Sequence, residues 1–436
     1  MTLFGILWFI TVSWAFLKKD IKYMFALTLL YMTFQCDNVI NIGGLSAGPQ
    51  IVTSFAFIVK TLYDARIRYH RKYRLPVFSA LLLVAIAAAS CMVNEIFDEK
   101  VLFLIQLLLY VLCFICILIC AGQLEEEVIY RTVRCITVFL LAMGIIQIIT
   151  TMNLLPFKTI LPFRSLLQTL FYNDTGGAGY IFFYSSRYSR IASLFQEPSY
   201  FSVFLAGAFY YFLSHISRWG ENIILMCFMI LELLLTTSST GYGAFLIMGI
   251  LFILANDKVK VSWKIAILTA ALLGFLFMYV GFYDLLDSVI FSKLESGSGR
   301  TRTRMNHTAI AAYESSKLWG VGYKNVRGSS IVYSLLGEMG IYGMAAYIIF
   351  NAVILWPAIV HKRKGRQLSE QNMGCRFAVA SAIVCQVLAC PDLDLCSYWF
   401  WVYVSAAYIK TLVPMSAVKT EMWGSGRIEW RRMRRT

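Results

Sequence analysis

Charge is scarce in this chain. Only 14% of its 436 residues are Asp, Glu, Lys or Arg, whereas a soluble globular domain carries about 25%. Hydrophobic residues make up 59%, and mean hydropathy is +0.67. A water-soluble domain is excluded. Histidine is scarcer still, with four in the whole chain. Ser238 and Ser239 beside Gly241 could suggest an intramembrane serine protease. No histidine lies in a membrane interior to act as its base, and His215 falls at the edge of a span. The glycine-rich NIGGLSAGP at 41–49 has no lysine and no strand-to-helix context, so it reads as a turn and not as a phosphate loop. Met1 to Leu17 is apolar but lacks a basic start and a small-residue cleavage site, so no signal peptide is expected.

Other chemistry is missing as well. The 11 cysteines fall mostly within apolar runs and imply no disulfide framework. Cys113, Cys116 and Cys120 share a helix face without histidine or carboxylate neighbours, which is the pattern of small buried hydrophobes. Asp392-Leu393-Asp394 matches the DxD pattern of nucleotide-sugar transferases. It falls in a short turn on the outer side, where no nucleotide sugar is available, and reads as a solvated acidic turn. No metal site and no cofactor are expected. A transporter should show charges deep in several spans and internal repeats. Here the charges cluster in loops, and Glu232 in LELLL is the main exception, either an ion path or a packing contact.

Long apolar runs are what the chain has instead. Many approach the ~20 residues that cross a bilayer. Spans are expected at roughly 2–17, 21–36, 50–63, 76–94, 101–121, 133–152, 191–214, 221–237, 241–256, 264–282, 329–358, 374–391 and 396–413, giving 11 to 14 in all. The fold class is an all-α polytopic membrane bundle, a single membrane domain over 1–436. Basic residues fix its orientation. Arg66, Arg68, Arg71, Lys72 and Arg74 share one loop. Lys258, Lys260 and Lys264 share a second, and Lys362, Arg363, Lys364 and Arg366 a third. With the basic tail at 414–436, these segments are expected in the cytoplasm. Topology and anionic headgroups then account for most of the +15 net charge, and no nucleic acid is implied.

Two long loops depart from this rule. They cover 153–190 and 283–328, fall on the outer side, and are basic. Long connections are usually functional or disordered. The first holds Arg164, Arg187 and Arg190. The second holds Arg300, Arg302, Arg304, His307, Lys317, Lys324 and Arg327. An anionic partner on that face is expected. If 300–316 is helical, Arg300, Arg304 and His307 share one face. If its start is extended, the three arginines at period two line one side. The stretch RIASLFQEPSYFSVFL places Glu197 and Pro198 at the head of an apolar run. Proline favours the first helical position, so a helix is expected from Pro198, with Glu197 at its mouth. The carboxylate there either caps the helix or faces Arg190 or a substrate hydroxyl.

These segments resemble the bacterial O-antigen polymerase and ligase family. RIASLFQEPSYFSVFL is similar to its Arg…Phe-x-Glu-Pro…Phe segment, and LTTSSTGYGAFLIMGILF to its short Ser/Thr-Gly turn. RTRTRMNHTAIAAYESSKLWGVGYKN followed by GEMGIYG resembles its Arg…Gly-Val-Gly…Gly-x-x-Gly region. The likeness is close over 150–345 and rests on hydropathy elsewhere. Ligases of the family carry a histidine where this chain has Ser329, counting back from Gly340 and Gly343, which favours a polymerase over a ligase.

The resemblance implies a lipid-carrier glycosyltransferase architecture with two large periplasmic loops. It also implies a multi-pass location in the bacterial cytoplasmic (inner) membrane, and the basic tail puts the C-terminus on the cytoplasmic side. The implied substrate is an undecaprenyl-pyrophosphate-linked glycan held among membrane lipid. A flippase and a chain-length regulator are the implied partners. Arg190, Arg300, Arg302 and Arg304 become the expected pyrophosphate-binding residues, because arginine grips phosphate oxygens in pairs. Glu197, slightly ahead of His307, is expected to receive or orient the proton of the attacking hydroxyl.

Overall fold

A computed structural model describes residues 3–35, 39–42, 45–64, 73–151, 190–255, 260–262, 264–265, 269, 297–363 and 370–408. In chain order the elements are α1 (Leu3–Leu17), α2 (Ile21–Tyr31), β1 (Ile40–Ile42), β2 (Leu45–Ala47), α3 (Pro49–Tyr63), α4 (Arg74–Val93), α5 (Phe97–Cys120) and α6 (Glu126–Thr151). They continue with α7 (Pro198–Ser214), α8 (Trp219–Leu235), α9 (Ser239–Ala255), α10 (Gly297–Ser315), α11 (Ile331–Arg363), α12 (Glu370–Ala389) and α13 (Cys396–Ala407). Helix dominates, as lipid requires of a spanning backbone. Among the described residues, five helical segments are long and apolar enough to cross a membrane: Arg74–Val93, Phe97–Gln123, Glu126–Ile148, Ile331–Trp356 and Asn372–Ala389. The 41–49 turn is an antiparallel β1–β2 pair, in which Ile40 faces Ala47 and Ile42 faces Leu45. Most of the expected span at 264–282, all but residues 264, 265 and 269, lies outside the described residues, as do the loop at 153–189 and the tail at 414–436.

Two helices form the centre. Every residue of α13 is buried, including Trp399, Trp401, Tyr398 and Tyr403. A helix apolar all round belongs in an interior, and CSYWFWVYVSAA is such a sequence. Helix α7 is buried along most of its length and packs on α12, α8 and α13. Gly207 opens the contact between α7 and α13, since a Cβ there would sit 2.3 Å from the Trp401 indole nitrogen. Cys113, Cys116 and Cys120 are buried in α5.

The expected span at 329–358 is one element but not one straight helix. Gly340 adopts φ +62°, a conformation that only glycine takes readily, and breaks α11 there. The cause lies in the preceding turn. The amides of Val321 and Gly322 donate to the carbonyls of Gly337 and Glu338 at 2.9 and 2.8 Å. The amide of Ile341 returns a bond to the Lys317 carbonyl at 2.9 Å. Backbone lies directly on backbone, so a Cβ at Gly320 would sit 2.5 Å from the Gly337 carbonyl oxygen, and one at Gly340 2.4 Å from that of Leu318. Ser90 of α4 joins the arrangement, its single hydroxyl proton shared between the carbonyls of Trp319 at 2.6 Å and Glu338 at 2.8 Å. The Gly-Val-Gly and Gly-x-x-Gly pieces of the sequence are the two halves of this contact.

Several connections meet at one end of the bundle. Gln35 after α2 donates its amide to Leu194, and Ile191 donates to Leu235 at the end of α8. Ser202 of α7 reaches Ser238 between α8 and α9 at 3.3 Å. The turn at 316–330 and the α12–α13 turn at 390–395 join them there through side-chain pairs. At the other end, Arg218 pairs with Glu127 at 2.6 Å and Arg134 with Glu221 at 2.9 Å.

Candidate functional site

Helix α7 starts at Pro198 as the sequence predicts, with Glu197 in extended geometry at its N-cap position. Its side chain makes no capping bond. The carboxylate instead accepts the Ser199 hydroxyl at 2.9 Å and stays exposed. Glu197 therefore holds a carboxylate at the helix mouth without spending it on the helix.

Arg190 lies beside it. Its Nε donates to the Thr236 carbonyl at 3.0 Å, and an Nη to that of Thr237 at 3.4 Å. These carbonyls close α8, where the helix dipole favours a cation. Arg190 thus ties the entry of α7 to the exit of α8, and part of its fork is committed to backbone. Desolvation pulls its pKa below the ordinary arginine value. The Glu197 carboxylate opposes that shift and the Arg302 guanidinium adds to it. So Arg190, Glu197 and Arg302 lie within electrostatic reach of one another.

The arginine segment is helical. Helix α10 carries Arg300, Arg304 and His307 at the expected one-face spacing, and all three are exposed, as is Arg302. Among the described residues none of the three arginines forms an ion pair. The expected face is present, but the arginine that acts on Arg190 is Arg302, which lies off it. Asn306 fixes α10 to the following turn, accepting the Ser329 amide at 2.8 Å.

The acidic turn requires a correction. Asp392 and Asp394 are not solvated. Their side chains retain 18% and 12% of their exposure, and both are paired. Lys324 Nζ lies 2.7 Å from Asp394 and 3.1 Å from Asp392. Arg327 reaches Asp392 at 2.8 Å. Tyr200, in the first turn of α7, donates to the same carboxylate at 2.5 Å and accepts from Arg327 at 3.0 Å. Gln106 of α5 donates to Asp394 at 3.2 Å. Burial alone would raise the Asp392 pKa, but Lys324 and Arg327 outweigh it and the net shift is downward. Burial alone would lower that of Lys324, but the two aspartates outweigh it and hold it above the ordinary range. Lys324 keeps φ +59°, an unfavourable conformation for a side-chain-bearing residue that this cluster holds in place.

The cluster forms one wall of a cavity of about 420 Å³. Glu338, from the broken start of α11, also lines it and is buried. Carboxamides line much of the rest: Gln35, Gln50, Gln106, Gln196 and Asn325. Sequence reasoning named none of these amides, nor Tyr200. Glu197 links the two groups, because its carboxylate acts on Arg327 as well as on Arg190. Among the described residues no cluster of His, Cys, Asp or Glu has metal-site geometry. Glu232 lies elsewhere, fully buried in α8 against Gly144 of α6.

No family model matches this chain, and no curated protein matches it significantly.

Proposed function

We propose that this chain is a polymerase that joins oligosaccharide units carried on a membrane lipid diphosphate, acting at the outer face of the bacterial cytoplasmic membrane. The observation that carries the reading is the placement of Glu197. It sits between a cationic helix face, whose arginines form no ion pair among the described residues, and a polar cavity, at one end of an apolar helical bundle. A lipid-linked glycan has the matching parts: a tail for the bilayer, a diphosphate at headgroup level, and sugars beyond.

In the reaction a hydroxyl oxygen of one glycan attacks the anomeric carbon of another. The bond from that carbon to the diphosphate oxygen breaks, and the lipid diphosphate leaves with the electron pair. The hydroxyl proton passes to the Glu197 carboxylate. Arg302, with Arg300, Arg304 and the free part of the Arg190 fork, stabilises charge on the departing diphosphate. A fixed donor of this kind is worth about 3 kcal/mol in a transition state. His307, on the exposed face of α10, is the alternative proton acceptor.

A gel of surface and lipid-linked glycans from a strain lacking the gene tests the reading. Single units on the acceptor, with no ladder, are expected. Long polymer left on the carrier would instead mean a ligase. Unchanged glycans would remove both.

A further inference from the structure

We propose that the cavity walled by Asp392, Asp394 and the five carboxamides is the acceptor subsite of this enzyme, and that it takes an uncharged sugar ring. The inference rests on the polymerase reading and assigns a ligand class to one part of the site.

The first argument is charge. The cavity contains Lys324 and Arg327, and both are compensated there. Lys324 is bridged by two carboxylates and Arg327 by one. A diphosphate needs uncompensated cations, and outside the cavity Arg300, Arg302 and Arg304 on α10 form no ion pair among the described residues. The two chemistries are separated in space: the leaving diphosphate belongs with Arg302, and the cavity is left for a ligand without net charge.

The second argument is hydrogen-bonding capacity. Each carboxamide offers two donors and an acceptor oxygen, so five of them can meet hydroxyls that both give and take protons. Gln50 Oε1 is buried with no hydrogen-bond partner among the described residues. Asp392 and Asp394 are already held in position, and a carboxylate oxygen with one partner can still accept from a sugar hydroxyl. Val326 and Leu395 add apolar surface for the C–H face of a ring. The volume lies within the usual range for small-molecule sites, about 300–1,000 Å³.

The third argument is placement. Tyr200 opens α7 three residues after Glu197 and binds the cavity wall through Asp392. A ring seated in the cavity would present a hydroxyl toward Glu197, on the side from which Arg302 holds the diphosphate.

The test uses a phosphate-free probe, the reducing oligosaccharide released by mild acid from the host strain's own lipid-linked unit. Saturation-transfer NMR follows its binding to the purified full chain in detergent. We expect binding that inorganic pyrophosphate does not compete away. Gln50→Ala and Gln106→Ala should each weaken it at least tenfold, and Arg302→Ala less than twofold. Gln50→Ala leaves every ion pair of the wall intact, so an unchanged elution profile separates lost binding from lost folding. No binding to the wild type, displacement by pyrophosphate, or loss in Arg302→Ala equal to that in Gln106→Ala would overturn the assignment. The glycan gel separates the two readings. A deletion strain with a normal ladder removes the polymerase, and the acceptor subsite with it. A deletion strain without a ladder, combined with a probe that ignores the glutamines, removes the subsite alone.

Discussion

Lys324 Nζ stands 2.7 Å from an Asp394 oxygen and 3.1 Å from an Asp392 oxygen, so one lysine in the α10–α11 turn holds both acids of the α12–α13 turn. The partners are 70 and 68 residues apart in sequence. Removing one member of a fully buried pair costs about 3–5 kcal/mol, because the other charge stays behind, and for these part-buried side chains that is an upper bound. Lys324→Ala should therefore lower the thermal midpoint sharply. Lys324→Ala combined with Asp394→Asn should recover part of that loss. Thermal melts of the purified variants check the order.

The same cluster sets a pH window. Asp392 has its pKa lowered in the folded state, so its stabilisation is present above the unfolded value near 3.9 and disappears as pH falls through the folded value. Lys324 has its pKa raised, so its stabilisation is present below the unfolded value near 10.4 and disappears as pH rises through the folded value. The Asp392 contribution to the midpoint should decline as pH falls below about 4. A wild-type midpoint that falls between pH 7 and 5, with Lys324→Ala showing no such fall, would contradict this.

Gly340→Ala must place a Cβ 2.4 Å from the Leu318 carbonyl while keeping φ at +62°. Strain of this kind costs roughly 1–3 kcal/mol before the clash is counted. The turn carrying Lys324 rests on that contact, so both the midpoint and the glycan ladder should drop. Gly122→Ala is the control, since a Cβ there meets nothing within 4 Å, and it should leave both unchanged.

Arg190 and Arg302 should separate in a paired test. Arg190 is tied to the last carbonyls of α8, whereas Arg302 is exposed and forms no ion pair among the described residues. Arg190→Ala should therefore reduce both stability and polymer. Arg302→Ala should reduce polymer about a hundredfold, the worth of one lost transition-state donor, with the midpoint unmoved. If two-pronged contact matters at 190, Arg190→Lys should also fail to make wild-type polymer.

Glu232 is buried in α8, and neither of its oxygens has a hydrogen-bond partner among the described residues. A buried polar group left unpaired costs about 1–3 kcal/mol. Glu232→Met should raise the thermal midpoint and keep the ladder. A lost ladder in a protein that remains folded would make Glu232 part of the function.

What the sequence made legible was local. Pro198 announces its helix because proline favours the first position, and the spacing of the three arginines fits a helix as well as an extended strand. The order of the glycine motifs is readable, but the reason for it is not, because the contact between 320–322 and 337–340 is made by backbone amides and carbonyls and is joined by Ser90 from the distant α4. A short Asp-Leu-Asp turn between spans looks solvated from sequence alone. The distant Lys324, Arg327, Tyr200 and Gln106 make it a paired, largely buried wall. Gln35, Gln50, Gln106 and Gln196 come from four separate segments and carry no spacing signal at all.

The central claim is best tested by reconstitution. The purified full chain would be placed in lipid vesicles with lipid-diphosphate-linked units extracted from the deletion strain. The products would then be resolved by size, with free lipid diphosphate measured alongside. The account predicts a ladder of lipid-linked multimers and one lipid diphosphate released for each bond formed. Units that stay single beside folded protein, with no lipid diphosphate released, would contradict it.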